Sequence, residues 1–405
     1  MIQEAEIVQV GRNKRWLVLA AVLGSRTIYT INWFNIAPAL LLIASDLRVD
    51  LPSLGVLTSS FLLGAGIFQI PAGTMSARWG AKNTSQLGML ILSLSGIGEG
   101  ISPNFPLLVV NRFLLGIGAA LFFAPAIGIL TPLFREQEEG LVLGLYNSCF
   151  NIGGGIALFG WVVVIELVGW RWGLVFGGLI GLASVAISQL IIPKDRRVQL
   201  QERPSIRPTF RNRNIWIIAF GVLGLWGGIF SASSFLQTYM TTTYGLGAET
   251  AGLLASSIMI GSVFGGPIGG YLSDRYRRRK IFILVPGLGA SIGILLFGVS
   301  EPFQLAFLIP IVGFLDAIVF STMYASASQY PEIGQQYAPL GISIINCVQI
   351  LGSFAIPIVF TLLVHTYGNY SPGWFFMGGL AIALILLILL LEEPFTANSR
   401  RASTS

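Results

Sequence analysis

The chain has 405 residues, of which 54% are apolar and 10% are charged. An ordinary soluble domain is about 25% charged, so the charged residues here cannot cover the surface of a soluble body of this length. Apolar runs long enough to cross a bilayer recur along the whole chain. The composition predicts a polytopic integral membrane protein. It excludes a soluble enzyme, a nucleic-acid-binding protein and a disordered chain.

Residues that ligate metals or form disulfides are scarce. The one histidine, His365, and the two cysteines, Cys149 and Cys347, are too few for a zinc site, a haem pocket or a disulfide framework. Both cysteines lie in apolar runs, where reduced and inert thiols are expected. We therefore expect no metal and no cofactor. The first apolar run is too long for a signal-peptide core, so we expect the first span to remain in the protein.

Twelve apolar spans follow one another, each near the ~20 residues that a helix needs to cross the hydrocarbon. The runs are long and continuous rather than short and alternating, which favours helices over the strands of a membrane barrel. The predicted fold is therefore all-α. The predicted spans are 16–44, 53–75, 83–101, 106–133, 140–166, 172–193, 215–242, 250–272, 281–299, 303–329, 339–365 and 373–391.

The positive charges predict the orientation. Of the 24 Lys and Arg residues, Arg48 and Arg171 lie in loops on one side, Arg26 and Arg112 lie within spans, and the other twenty lie on the opposite side. Under the positive-inside rule both termini are cytoplasmic, and we expect a multi-pass protein of the plasma (inner) membrane. The net charge of +6 then reflects topology, and no nucleic-acid partner is needed to explain it.

The longest polar stretch between spans lies at the midpoint of the chain. We interpret 194–213 as a basic cytoplasmic linker between two six-helix halves, 1–193 and 214–405. Its basic residues are also suited to contact with anionic lipid headgroups.

An internal repeat supports this division. Aligning 51–82 with 248–279 at a constant offset of 197 brings several identical residues together. Parallel halves of this kind place a substrate site near mid-membrane between them. The identical pairs include Gly55 with Gly252, Leu57 with Leu254, Gly64 with Gly261, Gly73 with Gly270, Ser76 with Ser273 and Arg78 with Arg275.

Three short motifs resemble those of the major facilitator superfamily of transporters. The loops GTMSARWGAK (73–82) and GYLSDRYRRRK (270–280) are similar to the superfamily's Gly-x-Leu-(Ala/Ser)-Asp-Arg-x-Gly-Arg-(Arg/Lys) pattern. The segment NRFLLGIGAA (111–120) is similar to its Arg-x-x-x-Gly-x-Gly-Ala-Ala pattern. The resemblance spans the whole chain and implies twelve helices in two pseudo-symmetric six-helix halves that act as a transporter.

The resemblance also implies a conformational latch at the loops. In the family, contacts between these loops and neighbouring helix ends hold the halves together on the cytoplasmic side. A charged loop is equally explained as a topology signal. The sequence departs from the pattern at Ala77, Ala81 and Arg277, and Ala77 replaces the aspartate of the first loop. The expected latch residues are Arg78, Asp274, Arg275 and Arg278.

Two features bear on the branch of the superfamily. The segment GWRW (169–172), followed by a glycine-rich helix, resembles the branches that move monocarboxylate, oxalate/formate, nitrate and cyanate anions. The same segment is also typical of an interfacial aromatic anchor. The fifth span carries Gly153–Gly155 and lacks the Gly-Pro pair of the family's antiporters, which weighs against a drug exporter.

Ionisable groups deep in a span cost roughly 2.5–3.5 kcal/mol on insertion scales and are functional by default. Arg26, Arg112 and Asp316 qualify, and they lie on the first, fourth and tenth spans, which line the central cavity in the superfamily. Glu99 and Glu166 lie at span ends, and we expect them to face the headgroups.

We expect Arg26 to bind an anionic group and Asp316 to exchange a coupling proton. The alternative is a structural ion pair between Arg26 and Asp316. We assign Arg112 to proton coupling, with packing in the first half as its alternative. The expected substrate-binding set is Arg26, Tyr29, Trp33, Asn147, Asn151, Trp226 and Gln237.

The sequence thus predicts a secondary transporter, not an enzyme. The first hypothesis is alternating-access transport of a small organic anion, a carboxylate, in symport with protons. The alternative is a proton-driven exporter of amphipathic compounds or drugs. An intramembrane enzyme lacks the paired catalytic groups it would need, and a carrier-like receptor stays open. We expect a monomer surrounded by lipid, with a small molecule and protons as its partners.

Overall fold

A computed structural model describes residues 12–130, 133–134, 136–193, 210–327, 329–330 and 334–394. Helices account for nearly all of the described residues, which contain no strand. The α-helices are α1 (Arg12–Phe34), α2 (Leu40–Leu47), α3 (Leu51–Trp79), α4 (Ala81–Ile101), α5 (Phe105–Leu130), α6 (Glu136–Gly155), α7 (Trp161–Ile191), α8 (Arg213–Tyr244), α9 (Ala248–Tyr276), α10 (Arg279–Leu296), α11 (Pro302–Ala327), α12 (Gly334–Ser353), α13 (Ala355–Tyr367) and α14 (Ser371–Ile385).

Ten helical stretches of the described chain are long and apolar enough to cross a membrane. One of them, Gly144–Ile191, has 48 residues and contains two crossings. Gly169 has φ 80° and ψ 161°, outside helical geometry. Trp161 Nε1 donates to Gly173 O at 3.2 Å, although twelve residues of straight helix would separate them by about 18 Å. The chain therefore reverses direction at Gly169.

The one crossing still to be counted is the third in chain order, α4. Its 21 residues rise about 31 Å, which matches the hydrocarbon thickness. Lys82 and Glu99 near its ends and several serines make it less apolar than the others. The helices thus make the twelve crossings that the sequence predicts, with the first formed by α1 and α2 and the eleventh by α12 and α13.

Glycines let pairs of helices pack backbone to backbone. A Cβ atom at Gly64 on α3 would lie 2.1 Å from Phe113 O on α5, and one at Gly261 on α9 would lie 2.0 Å from Pro310 O on α11. Small residues allow this close approach in membranes. Gly64 and Gly261 are equivalent in the repeat, so the two halves use the same packing device.

Two helix breaks also occupy equivalent positions. A π-helical segment, Ile156–Gly160, interrupts the fifth crossing after α6. The eleventh crossing is broken between Ser353 and Ala355, where α12 ends and α13 begins. At an offset of 198 residues, Ile156 aligns with Phe354 at the second break. The same register aligns Cys149 with Cys347, Ile152 with Ile350, Gly154 with Gly352 and Ala157 with Ala355.

The helix ends define two faces. We call the face with the α3–α4 turn (78–82) and the α9–α10 turn (274–280) the basic face, and the other the opposite face. At the basic face, Lys82 Nζ donates to Gln189 O at 3.1 Å and to Ile192 O at 2.5 Å. Lys280 Nζ donates to Leu389 O at 2.6 Å. Both lysines therefore cap the carboxyl ends of the sixth and twelfth crossings.

At the opposite face, Asp50 caps the start of α3. Its carboxylate accepts hydrogen bonds from the Ser53 backbone N–H at 3.1 Å and from the Ser53 hydroxyl at 2.5 Å. These hydrogen bonds favour the ionised form and lower the pKa of the Asp50 carboxyl.

The halves are sealed together toward the opposite face. Residues 29–37 of the first crossing and 230–240 of α8 are buried on every side. A Cβ atom at Gly55 would lie 2.1 Å from Thr361 Oγ1 of the other half, and one at Gly252 would lie 2.9 Å from Leu158 O. The basic ends of α3 and α9, by contrast, carry exposed residues that include Trp79 and Tyr271.

The predicted linker and the predicted ends of the two halves lie at the edge of the described residues. Most of the predicted linker, 194–209, lies outside the described residues, and α8 begins at Arg213. The half boundaries 1–193 and 214–405 stay a prediction.

The close packing of Gly313 against a neighbouring backbone predicts that a side chain at this position destabilises the protein. A Cβ atom there would lie 1.9 Å from Ile258 O, whereas one at Gly379 would meet nothing within 4 Å. Gly313→Ala should lower the free energy of unfolding by about 1–3 kcal/mol through overpacking. Gly379→Ala should be neutral. Thermal unfolding of the two variants in one detergent measures the difference, and equal melting temperatures would contradict the packing.

Candidate substrate site and gate

Five aromatic side chains seal the centre of the molecule toward the opposite face. Trp33, Phe34, Phe61 and Phe150 belong to the first half, and Phe230 on α8 belongs to the second. The Trp33 ring centroid lies 4.5 Å from Phe61, 5.5 Å from Phe150 and 6.3 Å from Phe230. We call these five residues the aromatic plug. It joins the two halves by ring contacts alone.

Arg26 lies directly on the basic-face side of the plug, in the middle of α1, and is 4% exposed. Its guanidinium carbon lies 4.5–4.9 Å from the ring centroids of Tyr29, Phe123, Tyr146 and Phe150. Tyr146 is held by its hydroxyl, which donates to Phe123 O at 2.9 Å. Phe150 also belongs to the plug, so it joins the arginine to the seal.

The Arg26 guanidinium has no anionic partner in the described structure. Its Nε and Nη1 atoms are buried and donate no hydrogen bond to any described residue. Four ring faces stabilise the cation, but they leave its Nε and Nη1 donors unsatisfied. Asp316 forms no ion pair with it, so the alternative of a structural Arg26–Asp316 pair does not describe this conformation.

Arg112 provides an internal comparison. It is 1% exposed, and its Nη1 donates to Asn32 O at 3.2 Å while its Nη2 donates to Trp33 O. It also pairs with Glu99, with 3.4 Å between Nη1 and Oε1. Glu99 is fully buried, so the expectation that it faces the headgroups is wrong, because Arg112 draws the carboxylate inward. Glu166 is exposed as expected.

Asp316 lies in the second half at a depth similar to that of Arg26. It is eleven residues from the basic end of α11, about 17 Å of helix rise, and Arg26 is about 21 Å from the start of α1. Asp316 is 7% exposed, and its Oδ1 has no hydrogen-bond partner among the described residues. Tyr324, two turns along α11, is within electrostatic reach of both Arg26 and Asp316.

The other predicted substrate-binding residues are spread along the helices. Trp226 stacks on Phe230 of the plug, with centroids 5.9 Å apart. Asn151 is half-buried and Asn147 is exposed on α6. Gln237 lies toward the opposite face, where its Nε2 donates to Ala248 O at 3.3 Å. The structure therefore places Arg26, Tyr29 and Trp226 next to the plug, to which Trp33 belongs. It places Gln237 away from the plug.

The predicted latch residues make no contact between the halves in the described structure. Asp274 pairs with Arg279 of its own loop, and Arg279 Nε donates to Gln329 Oε1 at 3.0 Å. Arg275 Nη1 donates to the Tyr271 hydroxyl at 3.2 Å. Arg78 and Arg278 are exposed at the basic face.

Sequence reasoning included Tyr29 but missed the other aromatic residues around Arg26. Tyr146 and Phe150 lie four residues apart on α6 and so share one helix face. That spacing was the available signal. Phe61, Phe123 and Phe230 carried none, because single phenylalanines are common in every span. Among the described residues, no cluster of His, Cys, Asp or Glu is placed to hold a metal ion.

Comparison with known proteins gives the class of this molecule. The family model of the Major Facilitator Superfamily matches residues 22–338 and 236–404. The chain therefore belongs to the major facilitator superfamily. It is a multi-pass membrane transport protein and not an enzyme, and the twelve-span, two-half architecture predicted from the sequence is confirmed.

Two relatives cover nearly the whole chain. A nitrite extrusion protein of Bacillus subtilis is 23% identical over 92% of this chain and 94% of its own length. A probable sulfoacetate transporter of Cupriavidus necator is 23% identical over 95% of each chain. The crystal structure of a bacterial homolog of the human lysosomal transporter Spinster has a TM-score of 0.74 at 16% identity and covers 96% of this chain and 98% of its own. That likeness supports the fold.

The ring cluster around Arg26 makes a testable prediction. Phe150→Leu removes one ring face from the cation and one contact from the plug, so it should lower stability by roughly 0.5–2 kcal/mol. Phe303→Leu is the matched control, because Phe303 is 77% exposed at the protein surface. The measurement is thermal unfolding in detergent. If both variants melt alike, Phe150 does not stabilise the buried cation.

Proposed function

We propose that this protein is a secondary active transporter that moves a small organic anion by alternating access, in symport with protons. The observation that carries the proposal is the Arg26 guanidinium, which is buried, stacked on four rings and without a carboxylate. The names of the two full-length relatives, which refer to nitrite and sulfoacetate, support an anionic substrate.

The contrast with Arg112 sharpens this argument. Burying an arginine is costly unless its charge and its donors are compensated. Arg112 has a carboxylate and two backbone carbonyls, whereas Arg26 has four ring faces and no carboxylate. An incoming anion supplies what Arg26 lacks, and a guanidinium offers a planar fork that suits a carboxylate or a sulfonate. Tyr29, Trp33 and Trp226 then border the substrate.

Alternating access follows from the way the halves meet. The halves 1–193 and 214–405 rock about the plug, and the linker 194–213 joins them. In the present conformation the plug closes the site from the opposite face. When the halves close at the basic face instead, Arg78, Asp274, Arg275 and Arg278 come together there and latch the two loops.

Proton coupling is assigned to Asp316 and Arg112. An anion on Arg26 and a proton on Asp316 each remove a charge from the central region, and the switch is favoured most when both are bound. Asn147, Asn151 and Gln237 supply hydrogen bonds as the halves move. The basic face is cytoplasmic, with both termini, in the plasma (inner) membrane, and the lipid-embedded monomer is the working unit.

The first test is substrate-dependent proton flux in proteoliposomes, scanned over small carboxylates, sulfonates and inorganic anions. We expect flux with one anion class, and a loss of at least tenfold in Arg26→Ala. Arg213→Ala is the matched control, because this arginine is exposed at the start of α8. Proton flux that responds to lipophilic cations and to no anion would instead identify an exporter of amphipathic compounds.

A second test addresses coupling. Asp316→Asn should still exchange labelled substrate across the membrane but should lose accumulation driven by a proton gradient, because the amide cannot exchange a proton. Glu166→Gln, an exposed carboxylate on α7, should behave as wild type in both assays. Normal accumulation by Asp316→Asn would remove Asp316 from the coupling mechanism.

A further inference from the structure

Glu99 is a buried carboxylate that the proposed transport cycle does not use. It lies two residues before the end of α4, about 3 Å of rise from the opposite face. The side chain is fully buried, and its Oε2 has no hydrogen-bond partner among the described residues. Burying a carboxylate this close to the surface costs its hydration, so an interaction of the side chain has to offset that cost.

The partner of Glu99 acts on the broken first crossing. The α1 helix ends at Phe34, so the Asn32 and Trp33 carbonyls in its last turn have no donor within the helix. Arg112 donates to two of these carbonyls, Asn32 O at 3.2 Å and Trp33 O. Arg112 therefore caps the end of α1, and Glu99, at 3.4 Å from Nη1, supplies its counter-charge.

The capped residue is the centre of the plug. The Trp33 ring contacts Phe61 in its own half and Phe230 in the other half. The chain of contacts thus runs from Glu99 through Arg112 and the Trp33 carbonyl to the ring that seals the site. Among the described residues, no other charged side chain bonds the Asn32 and Trp33 carbonyls. Arg171, at the same end of α4, donates to Gly100 O and Ser102 O and pairs with Asp46 at 3.0 Å.

We propose that Glu99 and Arg112 are positioning residues for the gate at the opposite face, holding the broken end of α1 so that Trp33 stays in the aromatic plug. This inference rests on the alternating-access part of the proposed function and does not depend on the substrate. Loss of the Glu99 charge leaves Arg112 buried without a counter-ion, and that cost falls on the closed gate. Opening at the opposite face relieves it by admitting water.

The native thiol Cys149 reports on the gate. It is half-buried and lies beside Thr27 and Arg26, on the basic-face side of the plug. In a Cys347→Ser background it is the one cysteine of the chain. A charged, membrane-impermeant methanethiosulfonate reagent reaches it from the basic face in inverted vesicles and from the opposite face in intact cells.

In Glu99→Gln we expect labelling of Cys149 from the opposite face to rise at least threefold and labelling from the basic face to fall. Arg112→Lys keeps the positive charge but cannot bond both carbonyls with a planar fork. Its rate of Cys149 labelling from the opposite face should therefore lie between those of wild type and Arg112→Gln. Glu166→Gln is the control and should label as wild type. Trp33→Leu should reproduce the Glu99→Gln pattern, and the double variant should add little, because both act through one ring.

A purely structural role would raise labelling from both faces together and would overturn the proposal, as would labelling of Glu99→Gln at the wild-type rate. Monodisperse elution of each variant in detergent separates the first outcome from misfolding. The assay needs no substrate, so a failure of anion transport in proteoliposomes leaves its result intact.

Discussion

Burying a charged group in this chain is costly, so other groups of the protein have to compensate it. Compensation takes three forms here. Lys82 and Lys280 bond the carbonyls at helix ends, and Arg112 combines carbonyls with a carboxylate. Arg26 has ring faces and no carboxylate.

The degree of compensation separates cations with a structural role from the cation proposed to bind the substrate. A cation that is fully satisfied fixes the helices that surround it, as Lys82 fixes the end of the sixth crossing against α4. A cation that lacks an anion stores unfavourable energy, which a ligand can release. In the proposed mechanism, the substrate site is the place where this compensation is incomplete, and the aromatic plug separates it from the opposite face.

Much of this architecture can be predicted from the sequence. Span length, basic loops and the repeat suffice for twelve crossings in two halves, and Gly64 and Gly261 pair in the sequence as they do in packing. The burial of Arg26 and Asp316 also follows, because an ionisable group far from either span end has no route to water.

The partners of these residues could not be predicted in the same way. Ring contacts around Arg26 come from three helices, and no local pattern links Phe123 to Tyr146. Glu99 was misjudged for a related reason: distance from the span end indicates the depth of a side chain but not its direction. Arg112 turns it inward from a neighbouring helix.

The two breaks in the fifth and eleventh crossings relate the two halves of the molecule. One is a π turn after three glycines and the other a break three residues before Pro357, yet both fall at one position of the repeat. The elements that interrupt the two helices differ, while the depth of the interruption is the same. The point at which a helix is interrupted is therefore a feature that the two halves share, although a π turn produces it in one half and a break before a proline accompanies it in the other.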